Sequence, residues 1–105
     1  MQKLQKLIED KLNIPIIDEN ESVYDGCFMI YPYMTSGIQG NGIPQNLVTS
    51  VSLELFYSDK LELLSISNNL WLYLHQNGYI SSSPDYIYEK NASLWRCSIK
   101  IEILN

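Results

Sequence analysis

Leu4, Leu7, Ile8 and Leu12 recur at helical spacing, with Lys3, Lys6, Glu9 and Asp10 on the other sides. That pattern predicts a short amphipathic helix with one stripe to bury, stopped by Pro15 shortly after Asn13. Ile14, Ile16 and Ile17 then predict a brief strand, and the polar, acidic stretch from Asp18 to Ser22 a surface loop. From Cys27 to Tyr33 both faces are apolar, as in a strand covered on both sides or one whose second face meets a partner. From Leu47 to Tyr57, Val51, Leu53, Leu55 and Tyr57 alternate with Ser50, Ser52 and Glu54, the period of a half-buried strand.

Between these strands the chain is rich in turn residues, and Asn41-Gly42 is the preferred pair for a two-residue hairpin because both positions need positive φ. A hairpin centred there pairs Gly40 with Ile43 and, further back, Cys27 with Phe56. The result is a long arm whose far end is Gly-rich. Asp59 with Glu62 resembles a capping box, so a second helix begins about Lys60. Its predicted buried stripe is Leu63, Ile66, Leu70 and Leu74, and Gly78 is placed to end it in a left-handed conformation. Strands from Tyr86 to Glu89 and from Leu94 to Leu104 follow, joined by a Lys90-Asn91 turn. The last alternates Trp95, Cys97, Ile99, Ile101 and Ile103 with Arg96, Ser98, Lys100 and Glu102. The order is helix, short strand, strand, strand, helix, strand, strand. The expected fold is α+β, a mostly antiparallel sheet of four to five strands with both helices on one face and an extended Gly-rich hairpin arm.

With 105 residues, 46% of them hydrophobic, the chain has material for one core, so residues 1–105 are expected to form a single domain. Twelve acids against seven bases give a formal charge of -5. That sign disfavours binding to bare nucleic-acid backbone, and the bases form no stripe interleaved with aromatics. The N-terminal segment carries charge throughout and lacks the apolar run of a signal peptide. No apolar run approaches membrane-spanning length, so the expectation is a cytosolic product with no membrane partner. Cys27 and Cys97, far apart and without a CxxC partner, are expected to be free core fillers.

Candidate chemistry is sparse. His75 is the only histidine and lies off the buried stripe of its helix, as a surface or boundary residue does. A calcium loop starting at Asp18 would place Val23 where glycine is needed and Met29 where glutamate is needed. The glycines at 37, 40 and 42 match neither the dinucleotide fingerprint nor the P-loop. No catalytic residue, cofactor site or metal site is therefore assigned. Two surfaces suggest contact with other chains: the arm residues Gly37, Ile38, Gln39, Gly40, Asn41, Gly42 and Ile43, and the strand aromatics Tyr31, Tyr33, Tyr86 and Tyr88. Eight tyrosines exceed what so small a core can bury, and tyrosine is enriched where proteins meet.

The layout has a parallel. An amphipathic helix leads to Phe28-Met-Ile-Tyr-Pro-Tyr33 and a Gly-rich loop. Ser52-Leu-Glu-Leu-Phe-Tyr-Ser-Asp-Lys60 then runs into an acid-capped helix ending at Asn77-Gly-Tyr79, and Asp85-Tyr-Ile-Tyr88 and Trp95-Arg-Cys-Ser-Ile-Lys-Ile101 close the chain. Across nearly its whole length this resembles the small tail-terminator and tail-completion (neck) proteins of tailed phages and prophages. The resemblance implies a non-enzymatic virion subunit, assembled in the host bacterial cytoplasm into a homo-oligomeric ring, usually a hexamer. Such a ring ends the tail tube, contacting the tail tube protein on one side and the head-tail connector protein on the other, with DNA only passing through the lumen. Negative lumen walls would repel DNA phosphates during that passage. Another neck component, such as a head-completion or connector protein, and a small ligand-binding α+β domain are the alternatives.

Overall fold

In the computed structural model, which describes residues 2–40 and 43–104, helix α1 spans Gln2–Leu12 and buries Leu4 and Ile8. Asn13 ends it at a positive φ of 53°, its N–H still donating to the Glu9 carbonyl at 2.9 Å. The short strand expected at Ile14–Ile17 does not form. The segment makes one isolated parallel bridge, Ile16 to Phe28, because Pro15 offers a carbonyl to Phe28 and no N–H to a longer ladder.

Strands β1 (Cys27–Gly40) and β2 (Ile43–Tyr57) pair antiparallel in the expected register, from Cys27 opposite Phe56 to Gly40 opposite Ile43. The Asn41-Gly42 turn itself lies outside the described residues. Two irregularities interrupt the ladder. An extra residue enters β1 at Tyr33, and a compensating one enters β2 between Gln45 and Val48, so the two shifts cancel. Helix α2 (Lys60–Gln76) starts at Asp59, whose carboxylate accepts from the Leu61 N–H at 3.0 Å. It closes in a Schellman turn. Gly78, at φ 82°, donates to His75 and Tyr79 donates to Leu74, which leaves the Tyr79 ring against the core.

Strands β3 (Ile80–Ser81), β4 (Asp85–Glu89) and β5 (Leu94–Leu104) complete an antiparallel sheet in which β1, β2, β5 and β3 follow in order and β4 also pairs with β5. The sequence pattern did not foresee β3. It and β4 are two halves of one edge strand, broken at Ser82–Pro84, where Ser82 fills the gap by donating its N–H to the Lys100 carbonyl and accepting the Lys100 N–H on its hydroxyl.

The expected α+β class is the one observed, with both helices on one face. The core there joins Leu4 and Ile8 of α1, Leu63, Leu70 and Leu74 of α2, and the inward residues Phe28, Val51, Leu53, Leu55, Cys97, Ile99 and Ile101. One buried α2 position is a correction. Ser67 occupies the stripe where Ile66 was expected, and Ile66 is half-buried. A second, smaller cluster of Ile17, Cys27, Met29, Phe56 and Leu94 sits on the opposite face, so one end of β1 is covered on both sides by the chain itself. No helix among the described residues is long and apolar enough to cross a membrane.

Truncating Leu70, which is fully buried, should cost about 2–5 kcal/mol in urea unfolding. Gly78→Ala should cost about 1 kcal/mol through the left-handed backbone alone, since a Cβ there meets nothing within 4 Å.

Candidate functional site

The sheet face away from the helices carries the alternate residues of each strand, and beside the small apolar cluster at Cys27 and Phe56 its centre is polar. Ser50, Ser52 and Glu54 of β2 are buried, although their strand position faces away from the main core. Glu54 explains why. Its Oε1 accepts the Tyr31 hydroxyl at 3.1 Å and lies 3.6 Å from Arg96 Nη1. Arg96 reaches on to Glu89 Oε1 with Nη2 at 3.1 Å, so one guanidinium links β2 to β4 across β5. Beside this group Lys100 donates to Ser52 Oγ at 3.1 Å and places its ammonium 4.7 Å from the centre of the Tyr33 ring.

Backbone geometry aims the two β1 tyrosines. Tyr31 stands opposite Ser52, and strand alternation puts Tyr33 two residues on upon the same face, where its ring meets Lys100. Burial raises the Tyr31 phenol above its ordinary range, with a Ser52 hydrogen bond opposing the rise and the Glu54 charge adding to it. Tyr31 therefore remains a donor at neutral pH. The Arg96 Nε is buried and finds no partner among the described residues.

The four strand aromatics do not form one patch. Tyr31 and Tyr33 share the polar face, with Tyr33 48% exposed. Tyr86 stands opposite Cys97 and points toward α2, where its hydroxyl meets Ser67 Oγ at 2.6 Å. Tyr88 packs its ring on Trp95 at 5.2 Å and is 44% exposed. Of all eight tyrosines only Tyr57 is buried. The arm residues Gly37, Ile38, Gln39, Gly40 and Ile43 lie in the strand pair, while Asn41 and Gly42 lie outside the described residues.

Among the described residues Val48–Leu104 is the last pair between β2 and β5, whereas β1 and β2 remain paired from Ile38–Gln45 to Gly40–Ile43. Among the described residues this stretch is a two-stranded ribbon, and the long axis of the molecule measures 50 Å against 29 and 21 Å across.

Other groups with chemical potential sit apart from this face. His75 is exposed, with its ring edge-on to Trp71 at 4.7 Å and Nε2 3.3 Å from Ser81 Oγ. Cys27 and Cys97 are buried and free, and they point to opposite faces of the sheet. Burial pushes the Cys97 thiol from its ordinary 9.0 up to about 11, with Ser67 and Tyr86 hydrogen bonds pulling the other way. A cleft of about 380 Å³ runs between Gln5 and the acidic loop carrying Asp18, Glu19 and Glu21. Among the described residues, no group of three or more His, Cys, Asp or Glu is placed to hold a metal ion.

The sequence marked Tyr31 and Tyr33 but missed the ionic group between them and β4. The available signal was the acid Glu54 inside an otherwise serine-lined strand face, opposite a strand bearing Arg96 and Lys100.

Tyr31→Phe should lower stability by on the order of 1 kcal/mol, the worth of one hydrogen bond to a charged, largely buried carboxylate. Cys97 holds its proton to about pH 11 when folded but only to its ordinary 9.0 when unfolded. The folded chain binds more protons in that window, so stability should fall as pH rises from about 9 to about 11, and Cys97→Ser should flatten that slope in chemical denaturation. No protein-family model matches the chain, and no curated protein matches it, so the functional reading rests on the arrangement of these surfaces.

Proposed function

We propose that this chain is a non-enzymatic structural subunit that works by assembling with copies of itself into a ring, in the manner of the phage tail-terminator proteins whose layout it resembles. In that role the ring, a hexamer, ends the tail tube and offers its other side to the head connector, and DNA passes through without being bound.

The observation that carries this reading is the β1–β2 ribbon. Among the described residues its last pairs, Ile38–Gln45 to Gly40–Ile43, have neither a third strand beside them nor the β5 ladder that supports the rest of β2. An isolated two-stranded ribbon is marginal in water, so a long one is worth building where another surface completes it. A ring supplies that surface, because each heterologous contact joins two different patches and the rotation between them closes the circle. The polar sheet face with Tyr31 and Tyr33 adds a second region suited to contact, with aromatic area held in place by charged neighbours.

Light scattering after size-exclusion chromatography should show an oligomer whose mass is a fixed multiple of the chain and whose images are rings. Deleting Gly37–Gly42 should leave the far-ultraviolet spectrum folded and reduce the species to monomer, with loss of binding to purified tail tubes. A wild-type chain that remains monomeric at every concentration and never caps a tube overturns the proposal.

A further inference from the structure

The chain has two Asn-Gly pairs, and Asn77-Gly78, at the end of α2, is the one that lies within the described residues. Such a pair carries a latent reaction. The glycine nitrogen has no side chain beside it to obstruct its approach, so Gly78 N can attack Cγ of Asn77. The N–Cγ bond forms, the Cγ–Nδ2 bond breaks, and the Gly78 proton leaves with Nδ2 as ammonia, which closes a succinimide. Water then opens that ring at either carbonyl, giving aspartate or the β-linked isoaspartate. Both residues are exposed, so water reaches them.

The closing turn of α2 holds every group of this reaction the wrong way. The nucleophile is engaged, because Gly78 donates its N–H to the His75 carbonyl at 3.0 Å. The leaving group is engaged too, because Asn77 Nδ2 donates to the Tyr73 carbonyl at 2.8 Å. Ring closure needs the Gly78 nitrogen to eclipse the Asn77 Cβ, which for an L residue takes a strongly negative ψ. Asn77 sits at ψ 11°, which turns that nitrogen away. The next residue locks the arrangement. Tyr79 donates its N–H to the Leu74 carbonyl at 3.0 Å and packs its ring on the core.

We infer that Asn77 is a modification site, a deamidation centre that the closed end of α2 shuts and that local opening of this turn exposes. Helix ends open at a far smaller free energy than a whole domain, so release of one turn is enough to free both hydrogen bonds and the ψ rotation. Conversion is one-way and acts back on the turn. A carboxylate at residue 77 has no hydrogen to give the Tyr73 carbonyl and sets a negative charge at the negative end of the helix. The isoaspartate form also adds a methylene to the main chain just before Tyr79, whose ring seats the turn. A converted molecule therefore holds the junction of α2 and β3 less firmly. The inference is independent of the assembly reading above.

The test incubates the full chain at mildly alkaline pH, folded and in denaturing urea, then digests it with trypsin. Mass spectrometry follows the amide-to-acid change in the peptide 61–90, with the isoaspartate form separated by chromatography. The other Asn-Gly pair falls in the peptide 12–60 and is read apart. Conversion at Asn77 should be at least about tenfold slower folded than in urea, the protection of a closed helix end. Tyr79→Ala, which removes the ring that seats the turn and leaves the reacting pair intact, should bring the folded rate up toward the urea rate. Asn77→Asp, the product of the reaction, should lower the thermal unfolding midpoint by a few degrees. No conversion at Asn77 in urea overturns the site, and equal rates folded and unfolded overturn its closure. That comparison needs no variant, so it decides the matter even where Tyr79→Ala fails to fold. A folded Tyr79→Ala chain that converts as slowly as wild type overturns the turn as what shuts the site, and an unchanged Asn77→Asp midpoint overturns the effect on the junction.

Discussion

The alternation along β5 is the constraint on which the rest depends. Cys97, Ile99 and Ile101 are fully buried beneath the helices, and because strand side chains alternate, Arg96, Ser98, Lys100 and Glu102 must emerge on the other side. A slip of one residue would drive two cations and an acid into the core. β5 also holds β2 on one flank and both halves of the broken edge strand on the other, so its register is inherited by the whole sheet. The polar face is thus the obligatory reverse of the core.

That logic made much of the fold legible. The Asp59 cap, the Gly78 terminus and the Gly40–Ile43 register each follow from local chemistry that tertiary context did not override. The losses are equally physical. Ile14–Ile17 has strand composition, but Pro15 and the short run leave it only a single bridge. β3 is two residues long, below what any periodicity can register, and exists because β5 offers it a ladder. Ile66 was expected in the buried stripe of α2, yet Ser67 takes that place, four residues after Leu63 and three before Leu70, and its hydroxyl is satisfied by Tyr86 and the Leu64 carbonyl.

The surfaces were less legible than the core. A tyrosine's residue type does not say which face it takes, and Tyr86 and Tyr31 were separated only by strand register. The irregularity between Pro32 and Met34 leaves no mark in the sequence beyond Pro32 itself. Glu54 illustrates the same limit. An acid in a strand reads as solvated, but two partners, Tyr31 of β1 and Arg96 of β5, make it an interior residue of a polar face.

Prolines and irregularities also guard the two borders of the sheet. β1 carries Pro32 and the Tyr33 bulge, and the opposite border is severed at Ser82–Pro84. Proline has no hydrogen to lend a newcomer strand, and a kinked border misaligns the donors that remain. Runaway fibre growth through border-to-border stacking is thereby obstructed on both flanks. Contacts made through side chains instead have angles that can be selected, and selectable angles are what allow an assembly to stop at a fixed number of members.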